Sequence, residues 1–290
     1  MKKKVIVLLT GLLFLGGCFN INGKTEQEKA QEGTTPVQEY VGQGYSFVDG
    51  NKSAERVKEH EEEIKQEAIN YMKTKYKTDV KVNNVVPARN GAVVIVESEA
   101  PIQFTTSVVV KFLLNNKDEI GSGTSDEGAV EQAIVGGLYA KAYEAEFHHL
   151  DEFAEELAEK YDLVGYTEEA LDKTLPFGYQ GKYYFVTLGY INYLSVYNAY
   201  LTNPKISAND LRTLFRKDDS TGEKMTIAMR FFMEGDQLPE QEFVDNIAEE
   251  FLQEPNLPEA SYPITIYKNF IVNRVGLPNG ENVDVEGITK

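Results

Sequence analysis

"VKVNNVVPARNGAVVIV", Val80 to Val96, is the stretch on which the fold class turns. Val80, Val82 and Val86 alternate with polar residues up to Pro87, and Ala92 to Val96 is an unbroken apolar run. Asn90-Gly91 stands between them. A two-residue hairpin turn needs φ > 0 at its central positions, which these two residue types adopt most readily. The pattern predicts an antiparallel hairpin. After Pro101, Phe104 to Leu114 is rich in Thr, Val and Phe and reads as a third strand.

Working outward, Ser53 opens a helical stretch that runs to about Lys77. Val57, Ile64, Ala68, Tyr71 and Met72 share one face at a 3.6-residue period, and Glu61-Glu62-Glu63 falls mostly on the solvated side. Arg56 stands where Glu or Gln would complete a capping box, so only the serine half is present. A helix followed by a three-stranded meander makes an α+β unit over residues 39–119.

Gly121 to Ser125 reads as a break, and a second α+β unit is expected over 126–290, either separate or packed with the first as one domain. Glu127 to Tyr161 is helical in pattern, with Gly136-Gly137 as the candidate interruption. Phe147, Leu150, Ala154, Leu157 and Tyr161 make a packing stripe. Ser207 to Asp210 opens a short helix, Met225 to Met233 is a strand, Pro239 to Leu252 a helix, and Tyr262 to Val275 a final strand. Strands and helices do not alternate regularly and no internal repeat is visible, so α+β is preferred to a doubly wound sheet.

The N-terminus carries a different message. Lys2, Lys3 and Lys4 precede an apolar run from Val5 to Leu15, and Gly16-Gly17 leads to Cys18. Charged, apolar and small-residue segments in that order form a secretory signal. Its apolar run is about a dozen residues, short of the roughly 20 that span a bilayer. Cys18 is the only cysteine in the chain, so it has no internal disulfide partner. Leu15-Gly16-Gly17-Cys18 has the form of a lipobox. On that reading residues 1–17 are removed and the Cys18 sulfur carries a diacylglycerol, with its new amine open to a further acyl chain. Two or more chains anchor a protein stably without a transmembrane helix. Residues 18–38 are polar and are expected to be a tether with a reach on the order of 25 Å.

The formal charge is −17. Loss of the signal and its three lysines leaves 26 basic residues against 46 acidic ones and moves the charge to −20. That balance argues against nucleic acid, which requires a basic footprint, and against adsorption to anionic lipid through charge alone.

Three patterns are candidates for chemistry. Glu144, His148 and Glu152 are four apart and would share one face of a helix. A divalent cation is one reading, but surface histidines among carboxylates explain the pattern more simply, and no metal or cofactor is expected. "YVGQGY", Tyr40 to Tyr45, has glycines suited to a turn and lacks the helix a phosphate loop would open. Tyr190, Tyr193, Tyr197 and Tyr200 are spaced three, four and three. If helical they form one stripe, exposed for stacking on sugars or a protein partner, or buried as core with hydroxyls reaching partners. The buried reading is preferred. The sequence has no Gly-x-Ser-x-Gly elbow, no Walker loop and no His-Glu-x-x-His.

The signal, "VQEYVGQGYSF" from Val37, "YKTDVKVNNVV" from Tyr76 and "GAVVIVES" from Gly91 together resemble a family of lipoproteins from low-GC Gram-positive bacteria, grouped as a domain of unknown function. The resemblance implies a protein held on the outer face of the cell membrane. It transfers no catalytic residue, and only Cys18 as the lipid site. The expectation is a non-enzymatic surface lipoprotein that binds an envelope protein or component. The alternatives are solute or glycan binding through Tyr190, Tyr193, Tyr197 and Tyr200, and an envelope hydrolase.

Overall fold

A computed structural model describes residues 33–113, 119–218 and 225–290. Cys18 and the expected signal, residues 1–17, lie outside the described residues. Gly33 to Lys290 forms one compact unit, so the two α+β halves pack as a single body.

The chain enters through β1 (Thr34–Thr35), followed by a single 3-10 turn at Val37–Glu39. Val37 and Tyr40 are fully buried. The tether expected over 18–38 therefore ends by Gly33, because Val37 is a core residue and its N–H is donated to Asn269 Oδ1 at 3.0 Å. The expected first helix is two, α1 (Ala54–Glu59) and α2 (Glu61–Tyr76), separated at His60. Ser53 makes no side-chain cap bond. Ile64, Ala68 and Met72 are buried as the periodicity predicts, and Lys77 closes α2 in the left-handed region at φ 56°.

The meander is β2 (Lys81–Ala88), β3 (Gly91–Ser98) and β4 (Phe104–Phe112), all antiparallel neighbours. The hairpin is where the sequence places it, but its pivot is one residue earlier. Ala88 pairs with Gly91, so Arg89 and Asn90 form the turn, and Asn90 takes φ 56°. Gly91 is needed for space instead: a Cβ there would lie 2.4 Å from the Val110 carbonyl oxygen of β4. The register shifts around Asn83, a bulge of one residue. Pro87 is tolerated because β2 is an edge strand.

The stretch expected as a break is a fourth strand, β5 (Ile120–Thr124), paired to β4. Its glycines serve close approach: a Cβ on Gly123 would lie 2.9 Å from the Tyr71 Cβ of α2. Helix α2 covers one face of this sheet through Ile64, Ala68 and Met72, which join Val94, Val96, Val108 and Val110 in the main core.

The next helices are α3 (Ala129–Ala142) and α4 (Glu144–Lys160). They are divided at Tyr143 and not at Gly136-Gly137. Helix α3 is buried on nearly all sides, as a helix apolar all round must be. Gly137 lets it press on the loop before β4, where a Cβ would meet the Gln103 carbonyl oxygen at 2.5 Å.

The remainder builds a six-stranded mixed sheet. After β6 (Leu163–Val164) come α5 (Glu168–Thr174), β7 (Gln180–Gly181), β8 (Tyr184–Thr187), α6 (Leu194–Thr202), α7 (Ala208–Asp218) and β9 (Thr226–Met233). Then follow α8 (Gln241–Gln253), β10 (Ser261–Tyr267), β11 (Ile271–Val272) and β12 (Asn282–Thr289). The order is β12-β10-β9-β8-β7, with β6 also on β9. Only β9 and β10 are parallel among these pairs, joined through α8 as a parallel pair requires. The single strand expected over 262–275 is thus β10 and β11, and β12 is an additional edge strand. Ile227, Met229 and Phe231 face the main core. Phe232 faces a second, smaller core with Val37, Tyr40, Tyr166, Ala170, Leu175 and Ile271. The fold is α+β.

Candidate functional site

The four tyrosines do not lie on one helix. Tyr190 to Tyr193 form a 3-10 turn and α6 begins at Leu194. Tyr193 and Tyr200 are core residues. The Tyr193 ring packs 5.5 Å from Phe215 of α7, and Tyr200 shares a 2.8 Å hydrogen bond with Thr78 Oγ1. Tyr190 and Tyr197 are half-buried and meet edge to face at 6.4 Å. A four-membered exposed stacking face is therefore not formed, because the change from 3-10 to α rotates alternate tyrosines inward. Ile191 and Leu194 occupy the outer side, 66% and 44% exposed.

What the half-buried pair adjoins is a polar cluster that spacing does not reveal. Tyr71 and Tyr76, on the last two turns of α2, both bond Ser125 Oγ, at 2.8 and 3.2 Å. Tyr76 donates a long 3.3 Å bond to Glu131 Oε1 on the first turn of α3. Lys75 donates to the Tyr71 phenol oxygen at 3.0 Å and lies over the rings of Tyr71 and Tyr76. Gly128 precedes α3 at φ 79° and brings that turn against the Tyr190 ring.

The electrostatics of the cluster follow from these contacts. Burial pushes Tyr197 up to about 12, with the Glu131 charge adding to it. Burial likewise raises Tyr76, against the pull of Lys75 and Ser125. For Tyr71 burial also opposes ionisation, but the bonds from Ser125, Lys75 and Tyr76 outweigh it and leave this phenol below its ordinary value. Glu131 Oε2 is buried with no partner among the described residues. The cluster thus offers one accepting oxygen without a donor among the described residues. It ties α2, α3 and α6 together and can take up a donor group.

The other sequence candidates separate in space. Helix α4 does carry Glu144, His148 and Glu152 on one side, but His148 and Glu152 are exposed and 3.5 Å apart. His149 Nε2 pairs instead with Glu254 at 2.7 Å, and Glu146 with Arg212 of α7 at 2.8 Å. Among the described residues no group of three or more His, Cys, Asp or Glu side chains has metal-holding geometry. "YVGQGY" is a turn, with Gly42 at φ 95° and Gly44 at φ 78°. Tyr40 within it is structural: its hydroxyl donates to the Asn273 carbonyl at 2.9 Å, and its own carbonyl accepts from Thr167 Oγ1 at 2.6 Å. That threonine oxygen also caps α5 by accepting from Ala170 N–H at 3.1 Å.

The surface carries an open depression of about 280 Å³ at the β2–β3 turn, bordered by Arg89, Asn90, Val109, Lys111 and Phe112. Arg89 is already paired with Asp49 at 2.7 Å.

Comparison with known proteins is consistent with this architecture. A crystal structure of a DUF1672 family protein from Staphylococcus aureus subsp. aureus Mu50 superposes with a TM-score of 0.73 at 22% identity, covering 89% of this chain and 98% of that one. At that identity the likeness establishes the fold. No curated protein matches the chain. Residues 27–289 match the family described as "Protein of unknown function (DUF1672)", which takes in every described strand and nearly the whole body. The chain belongs to the DUF1672 family.

Proposed function

We propose that this protein is a lipid-anchored module on the outer face of the cell membrane, and that its body binds a protein or envelope component without catalysing a reaction. The observation that carries the reading is the run from Lys2 to Cys18: a cationic start, a short apolar segment, two glycines and the chain's single thiol. A thiol at that place is a nucleophile for diacylglycerol transfer, and Gly16-Gly17 suits a narrow peptidase cleft.

Among the described residues no helix is long and apolar enough to cross a membrane. Attachment would therefore fall to Cys18. The body starts by Gly33, fifteen positions later. At full extension that length spans at most about 50 Å, so the body works within that distance of the bilayer. Its open depression at the β2–β3 turn suits contact with a surface better than enclosure of a reacting centre, which generally calls for a deeper cleft.

Cys18→Ala is the test. It is expected to abolish labelling by a fatty-acid analogue and to release the protein from membranes. Labelling that persists in the variant, or a native N-terminus still at Met1, would overturn the anchor. Crosslinking on intact cells should then capture a partner for the anchored form.

A further inference from the structure

Arg230 is an unusual cation for so acidic a chain. It lies on β9, on the face of the mixed sheet that carries the smaller core, and its backbone N–H is donated to the Tyr183 carbonyl at 2.6 Å. Arg89 and Arg212 each hold a carboxylate, Asp49 at 2.7 Å and Glu146 at 2.8 Å. Arg230 has no such partner among the described residues. Its guanidinium makes one long side-chain hydrogen bond, from Nη1 to the Tyr166 phenol oxygen at 3.4 Å. Acidic residues outnumber basic ones 46 to 29 in this sequence, so a guanidinium without a carboxylate runs against composition.

What surrounds it is aromatic. The guanidinium carbon lies 4.7 Å from the Phe185 ring centre, 5.8 Å from Tyr166 and 6.0 Å from Phe177. Phe177 and Phe185 are themselves in contact at 5.7 Å. Ring faces partly compensate a desolvated cation but accept no hydrogen bond in the plane of the fork. Most of the five N–H donors therefore point to no protein acceptor. They border a narrow recess of about 10 Å³, lined also by Gln180 and Lys182, with room for about one water-sized group.

We propose that the fork of Arg230, bordering this recess, receives the carboxylate of an organic acid with an apolar body. The planar fork of Arg230 matches a carboxylate bidentately. The rings of Phe177 and Phe185 form the wall against which an apolar body would lie, and the recess itself has room for no more than one carboxylate oxygen. A phosphate dianion fits less well, because the second cation at the mouth, Lys182, is held by Glu155 at 3.0 Å and that carboxylate brings its own negative charge. The carboxylate can come from a free acid or from the C-terminus of a peptide. The proposal rests on the reading of the body as a binding module. It does not depend on lipid at Cys18, so failure here would leave the membrane-release result untouched.

The experiment is calorimetric titration of the full chain with N-acetylphenylalanine, with its neutral amide, with a four-residue peptide ending in phenylalanine as free acid, and with inorganic phosphate. Saturable binding of the acids with no binding of the amide is expected. Arg230→Met should weaken the acids at least about tenfold, and Phe185→Leu, which keeps the cation and removes wall, should weaken them by a smaller factor. Melting curves establish that each variant is folded, and if Arg230→Met does not fold the Phe185→Leu result decides. A peptide acid that binds tighter than the free acid identifies a chain terminus as the source, and equal affinities identify small acids. The proposal is overturned by equal binding of acid and amide, by phosphate binding more tightly than either acid, by unchanged affinity in the folded variants, or by no saturation with either acid up to about 10 mM.

Discussion

Two adjacent glycines in α3 should respond in opposite directions to the same substitution. Gly136 has ordinary helical surroundings: an added Cβ would find its nearest neighbours at 3.8 Å, the Tyr179 nitrogen and Val186 Cγ1. Replacing Gly by Ala within a helix gains about 1 kcal/mol of propensity, and a newly buried methyl adds up to about 0.8 kcal/mol. Gly136→Ala is therefore expected to stabilise by about 1 to 2 kcal/mol. Gly137→Ala gains the same propensity, but its Cβ would sit 2.5 Å from the Gln103 carbonyl oxygen. That is a backbone atom flanked by the buried Ile102 and Phe104, and α3 is packed on nearly all sides, so neither partner can yield cheaply. Overpacking of this kind costs up to about 3 kcal/mol, which leaves a net loss of about 2 kcal/mol. For a chain of this size 1 kcal/mol moves Tm by roughly 2–4 °C. Thermal melts of the two purified variants beside the parent should diverge, Gly136→Ala upward and Gly137→Ala downward. Shifts of the same sign and similar size would refute the claim that Gly137 is present for close approach.

Two further outcomes follow from the electrostatics. In an alkaline absorbance titration Tyr71 should ionise first among the cluster phenols; Tyr71→Phe should remove that step, and Lys75→Met should move it upward. Burial works against the Glu250 charge, but Lys160 at 2.8 Å and the Tyr161 hydroxyl outweigh it and hold this carboxyl below its usual range. A depressed carboxyl stabilises the fold above its unfolded pKa of about 4.3 and loses that contribution as pH falls through the folded value. Because the pair is largely solvated, Glu250→Gln should cost less than about 1 kcal/mol at pH 7 and flatten the acid limb of stability against pH. An unchanged acid limb in urea unfolding would count against it.

The parts of the fold that the sequence makes legible are those governed by neighbours along the chain. Asn90 marks the hairpin because left-handed backbone is a local demand, and Ile64, Ala68 and Met72 mark the buried side of α2 because helical period is local. Strands β5 and β12 escape such reading. In β5 Gly121 and Gly123 serve close approach to β4 and α2, and in β12 the alternation of Val283 and Val285 with Asp284 and Glu286 is cut short at Gly287, so both patterns are brief. The tyrosine cluster was half legible. The spacing of Tyr190 to Tyr200 was visible, but the partner of Tyr200 is Thr78, 122 positions away, and the approach of Glu131 to Tyr76 depends on how α3 packs on α2. Arg230 gave no signal at all, since an arginine in an alternating strand looks like a solvated face until the rings on three other segments are in place.

The pairing of β1 with β11 also sets a schedule for biosynthesis. Thr34 finds Val272 and Thr35 finds Ile271, while the Tyr40 hydroxyl waits for Asn273, 233 positions downstream. A ribosome delivering the chain from its N-terminus releases Val37 and Tyr40 early and their acceptors nearly last. The smaller core cannot close until synthesis is almost finished, which leaves the leading segment without its packing partners for nearly the whole of translation.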